Sequence, residues 1–234
     1  MSATDTLATE RLDLAETDLR QVNRILQGRD GDPASAYEII NPLGAHALAA
    51  GLTKPIAVTI RGHVGYYCAG MNQQATVIIE GNAGVGVAEN MMSGTVRVRG
   101  DASQSAGATA HGGLLVVEGN AASRCGISMK GADIVIGGSV GHNSAFMAQA
   151  GHLVICGDAD DGLGDSIYET VIYLRGQAKG LGADCVEKEM TADHRETLTD
   201  LLARAGLDAD PADFRRYGSA RQLYNFRIDN LGAY

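Results

Sequence analysis

The chain has 234 residues, a net charge of −9 and a pI of about 5.1. An acidic chain without basic runs argues against nucleic acid and against anionic membrane surfaces as partners. No run of about 18 apolar residues is present to cross a bilayer, and the polar start MSATDTLATERLDL is unlike a secretory signal, so the protein is read as cytoplasmic.

Along residues 17–27, Leu19, Val22, Ile25 and Leu26 share one helical face, with Thr17 as candidate N-cap and Gly28 as candidate stop. GRDGDPAS reads as a loop, and YEIINPLGAHALAAGL as an extended piece followed by a short helix. Residues 1–56 are expected to form a cap.

From residue 57 a repeat takes over. Gly62, Gly81, Gly100, Gly119, Gly138, Gly157 and Gly176 are spaced by 19 residues without interruption. A fixed period near 20 marks a chain that stacks similar coils. With each glycine as position zero, position −4 holds Val58, Val77, Val96, Leu115, Ile134, Leu153 and Ile172. Position −2 holds Ile60, Ile79, Val98, Val117, Ile136, Ile155 and Leu174. Aliphatic residues at period two form a short strand with one buried face. Position +1 is always polar (His63, Asn82, Asp101, Asn120, Ser139, Asp158, Gln177) and reads as a turn facing water. Position +2 holds Val or Ala, pointing inward. Position +7 uses only Ala or Gly, as a corner tightly packed between coils requires. The expected fold is all-β: a parallel, right-handed β-helix of about seven coils over 57–185, roughly 34 Å tall at about 4.8 Å per step. A sandwich of evenly spaced strands is the alternative.

After residue 185 the repeat stops, and 186–234 form the second flank. Asp193 and Glu196 suggest the start of a helix that carries Leu198, Leu201, Leu202 and Ala205 and ends at Gly206. The tail is dense in Tyr, Arg, Phe and Asn. It either covers the last coil or docks on another chain.

The cysteines at 68, 125, 156 and 185 have no metal-ligand spacing. Cys68 and Cys125 share column +6, three coils or roughly 14 Å apart, too far for a disulfide. Buried thiols are expected. No catalytic constellation is recognisable. The polar columns lack the acidic and basic ladder that a polysaccharide-degrading β-helix would need. The irregular ridge around the corners carries large, adaptable side chains where the smallest would serve. His63, Tyr66, Tyr67, Asn72, Glu89, Asn90, Met91, Met92, Met129 and Lys130 are therefore candidate interface residues.

Gly62-x-x-Gly65-x-x-x-Ala69, Gly81-x-x-Gly84-x-x-x-Ala88 and Gly138-x-x-Gly141-x-x-x-Ala145 resemble a known glycine repeat. That repeat defines the C-terminal β-helix domain of the glutamate synthase large subunit and a subunit of formylmethanofuran dehydrogenase. GHVGYYCAGMNQQA (62–75), GVAENMMSG (86–94), RCGISMKGADIVI (124–136), GDSIYE (164–169) and YGSARQLYNF (217–226) resemble the stand-alone β-helix subunit of N-methylglutamate synthase. This resemblance implies a scaffold subunit with no catalytic, cofactor or metal residues of its own. It implies a hetero-oligomer with a glutamine-amidotransferase-like subunit and an FMN-binding, glutamate-synthase-like subunit that holds iron–sulfur centres. The implied reaction converts methylamine and L-glutamate to N-methyl-L-glutamate and ammonia. Another glutamate-synthase-like complex or a formylmethanofuran-dehydrogenase-like complex is the alternative setting.

Overall fold

A computed structural model describes residues 9–222. Nine strands run in chain order through one parallel ladder: β1 (Thr9–Asp13), β2 (Ala36–Ile40), β3 (Ala57–Arg61), β4 (Thr76–Ile79), β5 (Thr95–Val98), β6 (Leu114–Val117), β7 (Lys130–Ile136), β8 (Ala150–Ile155) and β9 (Val171–Leu174). From β3 to β6 each paired residue meets the one 19 positions later, so Ile60, Ile79, Val98 and Val117 form one ladder. Both aliphatic columns are buried throughout. Column +2 forms a second line of parallel bridges, from Val64 through Ala83, Ala102, Ala121, Val140 and Ala159 to Ala178. The chain is thus a parallel β-helix whose core is a stack of like residues.

The stack begins before residue 57. Ala36 pairs with Ala57 in a coil of 21 residues, and Thr9 pairs with Ala36 across a longer connection that contains helix α1 (Leu19–Leu26). The segment after β2 is not the short helix expected from sequence. It is a corner of turns with Ala47, Ala49 and Gly51 at positive φ. The α1 N-cap is Asp18, not Thr17, and its carboxylate accepts from the Gln21 N–H at 3.1 Å. Val22 and Leu26 close the apolar core at this end.

α1 also supplies hydrogen bonds that a preceding coil would otherwise make. Asn23 donates to Ala47 O at 2.9 Å and accepts from Ala49 N at 2.8 Å, while Gln27 donates to Ala50 O at 2.8 Å. Two side-chain amides thereby satisfy the exposed backbone of the first corner, as buried peptide groups require.

At the other end the chain reverses. β10 (Cys185–Lys188) leads to helix α2 (Ala192–Ala205), a 3₁₀ turn (Pro211–Asp213) and β11 (Arg215–Ser219). β11 pairs antiparallel with β9, and β10 with β11, so this segment covers the last coil. Thr191, not Asp193, caps α2, and Gly206 ends it at φ 65°. α2 lies on the outer face of the strands, where Leu198, Leu201, Leu202 and Ala205 pack with Val116, Val135, Val154 and Tyr173. Arg97 closes the helix end by donating to Ala205 O at 2.8 Å, and it also pairs with Glu118 at 2.9 Å. Residues 223–226 of the YGSARQLYNF segment lie outside the described residues. Among the described residues, no helix is long and apolar enough to cross a membrane.

All four cysteines are buried free thiols. Burial pushes Cys68, Cys125 and Cys185 up to about 12, so they fill space as neutral groups.

Candidate functional site

The corner face is built from positions +4 to +12 of successive coils. Its backbone alternates. Positions +5, +7 and +9 are left-handed in every coil from Tyr67, Ala69 and Met71 to Gly162, Gly164 and Ser166. The reason lies in the hydrogen bonds between coils. Tyr67 N donates forward to Val85 O at 2.7 Å, Ala69 N backward to Leu48 O at 3.0 Å, and Met71 N forward to Glu89 O at 2.8 Å. Reversing the handedness at every second residue turns successive N–H groups to the coils above and below. Residues other than Gly and Asn pay of order 1 kcal/mol in this region, and the inter-coil bonds offset that cost.

The zigzag sorts side chains by column. Position +10 points inward: Asn72, Met91, Ala110, Met129, Ala148 and Ile167 are all fully buried. Position +11 points outward: Gln73, Met92, His111, Lys130, Gln149 and Tyr168 are all exposed. This corrects three of the candidate interface residues. Met91 and Met129 fill the core. Asn72 is buried too, with its amide nitrogen donating to Ala75 O at 2.8 Å and Ser93 O at 3.2 Å. None of the three can meet a partner.

The other seven fall in different settings. Tyr66 is 53% exposed and stacks on His46, with ring centroids 4.0 Å apart. Met92 is 46% exposed, and Lys130 is exposed. Tyr67, Glu89 and Asn90 are half-buried, and Asn90 accepts from Thr109 Oγ1 at 2.7 Å. His63 is exposed but belongs to the polar turn, where its Nδ1 accepts from Asn82 N at 2.9 Å.

Leu43, at 88% exposed, was not among the candidates, nor were the exposed Met71, Val85, Met147 and Tyr168. The signal that finds all but Leu43 is the column: +4 for Tyr66 and Val85, +9 for Met71 and Met147, +11 for Met92 and Tyr168. Leu43 lies in the earlier coil, outside the 19-residue register.

Charge is as uneven as apolar exposure. Across 65–74, 84–93, 103–112, 122–131 and 141–150 the only Asp, Glu, Lys or Arg residues are Glu89, Arg124 and Lys130, although 20% of the chain is charged. The next coil carries Asp160, Asp161, Asp165 and Glu169 in the same positions. The corner is therefore a broad, charge-poor surface bearing exposed Met, Tyr and Val, bounded at one end by an acidic rim. Depletion of charge with enrichment of Tyr and Met characterises the centre of protein interfaces, and methionine adapts its shape to what it meets.

No protein-family model matches the chain. It is 59% identical to Protein GlxC of Rhizobium meliloti (strain 1021) over 225 residues, which cover 95% of this chain and 99% of that protein. With this identity over nearly the full length of both, the chain belongs to the same family as Protein GlxC.

Proposed function

We propose that this protein is a scaffold subunit of a glutamate-synthase-like complex, N-methylglutamate synthase, without an active site of its own. The observation that carries this reading is the corner face. A rigid stack of coils presents exposed Tyr66, Met71, Val85 and Met92 on a surface nearly free of charge, in a chain of net charge −9. Such a surface serves docking better than solvation. The family resemblance of segments 62–75, 86–94 and 124–136, which run through this same face, supports the identity of the partners. These are an amidotransferase-like subunit and an FMN-binding subunit with iron–sulfur centres, which carry out the exchange of methylamine into L-glutamate in the cytoplasm.

Reconstitution tests this. The chain should co-purify with both subunits, and omitting it should abolish assembly and formation of N-methyl-L-glutamate. An isolated chain that carries FMN or iron, or partners fully active without it, would overturn the proposal.

A further inference from the structure

The corner face holds so few charges that each one bears on what can dock there. Arg124 and Lys130 stand at positions +5 and +11 of a single coil, and both are exposed. Among the described residues neither head group has a hydrogen-bond or ion-pair partner. Elsewhere on the stack cations are matched within the chain, as Arg61 is by Glu38 at 2.8 Å and Lys179 by Asp160 at 3.1 Å. Glu89 lies two coils to one side of the pair and the acidic rim two coils to the other. At ~4.8 Å per coil each is about 10 Å away along the stack, beyond ion-pair reach. The centre of the face is therefore cationic in a chain of net charge −9.

Both residues sit where the backbone departs from what folding alone favours. Arg124 has φ 60°, and the same column holds Gly86, Asn143 and Gly162, types that reach this region at lower cost. Folding therefore prefers Gly or Asn to Arg at this position. Lys130 opens β7 beside a bulge: it pairs with Ala150, 20 residues on, whereas Asp133 pairs with His152, 19 on. Bulges re-aim side chains. The following Gly131 has φ 145°, and a Cβ there would stand 2.6 Å from His111 O. Arg124 N donates to His142 O at 2.9 Å and Lys130 N to Ala110 O at 2.7 Å. Both side chains thus spring from backbone clamped to a neighbouring coil.

We propose that Arg124 and Lys130 are the charged anchors of the corner face, and that the partner docking there meets them with Asp or Glu carboxylates on an otherwise apolar surface. An exposed cation is well solvated, but covering it strips that water at a cost which only an opposing carboxylate offsets. On a face otherwise almost free of charge, two such pairs fix register and orientation and steer the encounter. A second copy of this chain presenting the same face would bring like charges together. The inference rests on the scaffold reading above and names the chemistry of the partner's side of that contact.

Association of the full chain with the purified amidotransferase-like and FMN-binding subunits is measured at low and at high sodium chloride. Arg124→Asn with Lys130→Gln should weaken binding about tenfold or more at low salt and flatten its salt dependence. The thermal midpoint of this variant should be unchanged or raised, because Asn tolerates the left-handed backbone at 124. Arg195→Gln, an equal loss of charge on the exposed side of α2, should leave affinity at the parental level. Parental affinity and salt dependence in the double variant, with the parent still assembling, would overturn this inference alone. A parent that binds neither subunit would overturn the scaffold reading and this inference with it. Self-association of the isolated chain in sedimentation, abolished by the double variant, would reassign the patch to a second copy and likewise overturn it.

Discussion

Apart from Gly62, at φ 138°, none of the repeated glycines has a positive φ angle, so backbone freedom does not explain the column from Gly81 to Gly176. Space does. An added Cβ at Gly157 would stand 2.5 Å from Ser139 Oγ and 2.6 Å from Gly138 C, and at Gly100 it would fall on the Asn82 side-chain oxygen. Those +1 side chains form a ladder of their own. Asn82 Oδ1 accepts from Asp101 N at 3.0 Å, Asp101 Oδ1 from Asn120 N at 2.7 Å, and Asn120 Oδ1 from Ser139 N at 2.9 Å. Each oxygen thus occupies the volume that a methyl group on the next coil would need, and the Gly and polar columns are one device. A double-mutant cycle tests this. Gly100→Ala should cost about 1–3 kcal/mol. The same change on an Asn82→Ala background should cost about 1 kcal/mol less, since the nearest clash is gone. Urea denaturation of the four chains gives the coupling; a value near zero would show that the two columns are independent. The sequence showed the glycine period and the polar column after it. It did not show their coupling, because the partner of each glycine is 18 residues away and a turn between Gly and Asn accounts for the pair locally.

α2 sits on the sheet through a mixed contact. Its apolar face packs on Val116, Val135, Val154 and Tyr173, and its polar groups meet the same strands. Arg204 bonds Asp133 at 3.0 Å, Asp133 also bonds His152 at 2.8 Å, and Tyr173 Oη lies 2.9 Å from His194 Nδ1. Burial pushes the Tyr173 phenol up to about 12, so it keeps its proton beside the His194 ring. Burial first, then Arg216 and His152, hold His194 below its ordinary 6.5, with Asp193 acting in the opposite sense. Burial also works to raise Asp133, but the bonds from His152 and Arg204 prevail and hold it below the usual carboxylate range. The unfolded chain therefore takes up a proton at His194 at higher pH than the folded chain. Stability falls as pH drops from 6.5 towards the lowered folded value. The Asp133 contribution persists to lower pH, because a depressed carboxylate loses its stabilisation only below its unfolded value of 3.8. Thermal midpoints between neutral pH and about pH 5 should decline for the parent chain and decline less for His194→Gln. Parallel curves would remove His194 from the contact. The helix itself was legible, and so was a need for a cover. The outward −3 column changes from Thr59, Ile78 and Arg97 to Val116, Val135, Val154 and Tyr173. Its caps were less legible, since Thr17 and Asp18 at one helix, and Thr191 and Asp193 at the other, can all act as N-caps. The first coils were missed because their 21- and 27-residue spacings leave the period that revealed the rest.

At the scale of the molecule, the stack gives each column a direction, and that direction decides which residues can meet a partner. Met91 and Met92 are adjacent and chemically identical, yet one is core and the other surface. Composition alone cannot separate them; position +10 against +11 does. The docking proposal therefore rests on residues whose columns point outward, and its test should use them alone. Tyr66 and Met92 are separated by one coil, and their exposed surfaces belong to no core contact of the stack apart from the Tyr66 ring on His46. Tyr66→Ala with Met92→Ala should leave the isolated chain folded, with a thermal midpoint close to that of the parent. It should weaken association with the proposed partner subunits by about 2 kcal/mol or more, since interface energy concentrates in a few such anchors. Met91→Ala is the matched control. It opens a cavity in the core, costs about 2–5 kcal/mol of stability, and should not alter affinity in chains that remain folded. The expected pattern is a crossing of effects: the outward pair changes affinity and not stability, the inward neighbour stability and not affinity. If the outward pair leaves affinity at the parental level, the charge-poor corner is a solvated surface, and the acidic rim at Asp160, Asp161 and Asp165 becomes the next place to look for the contact.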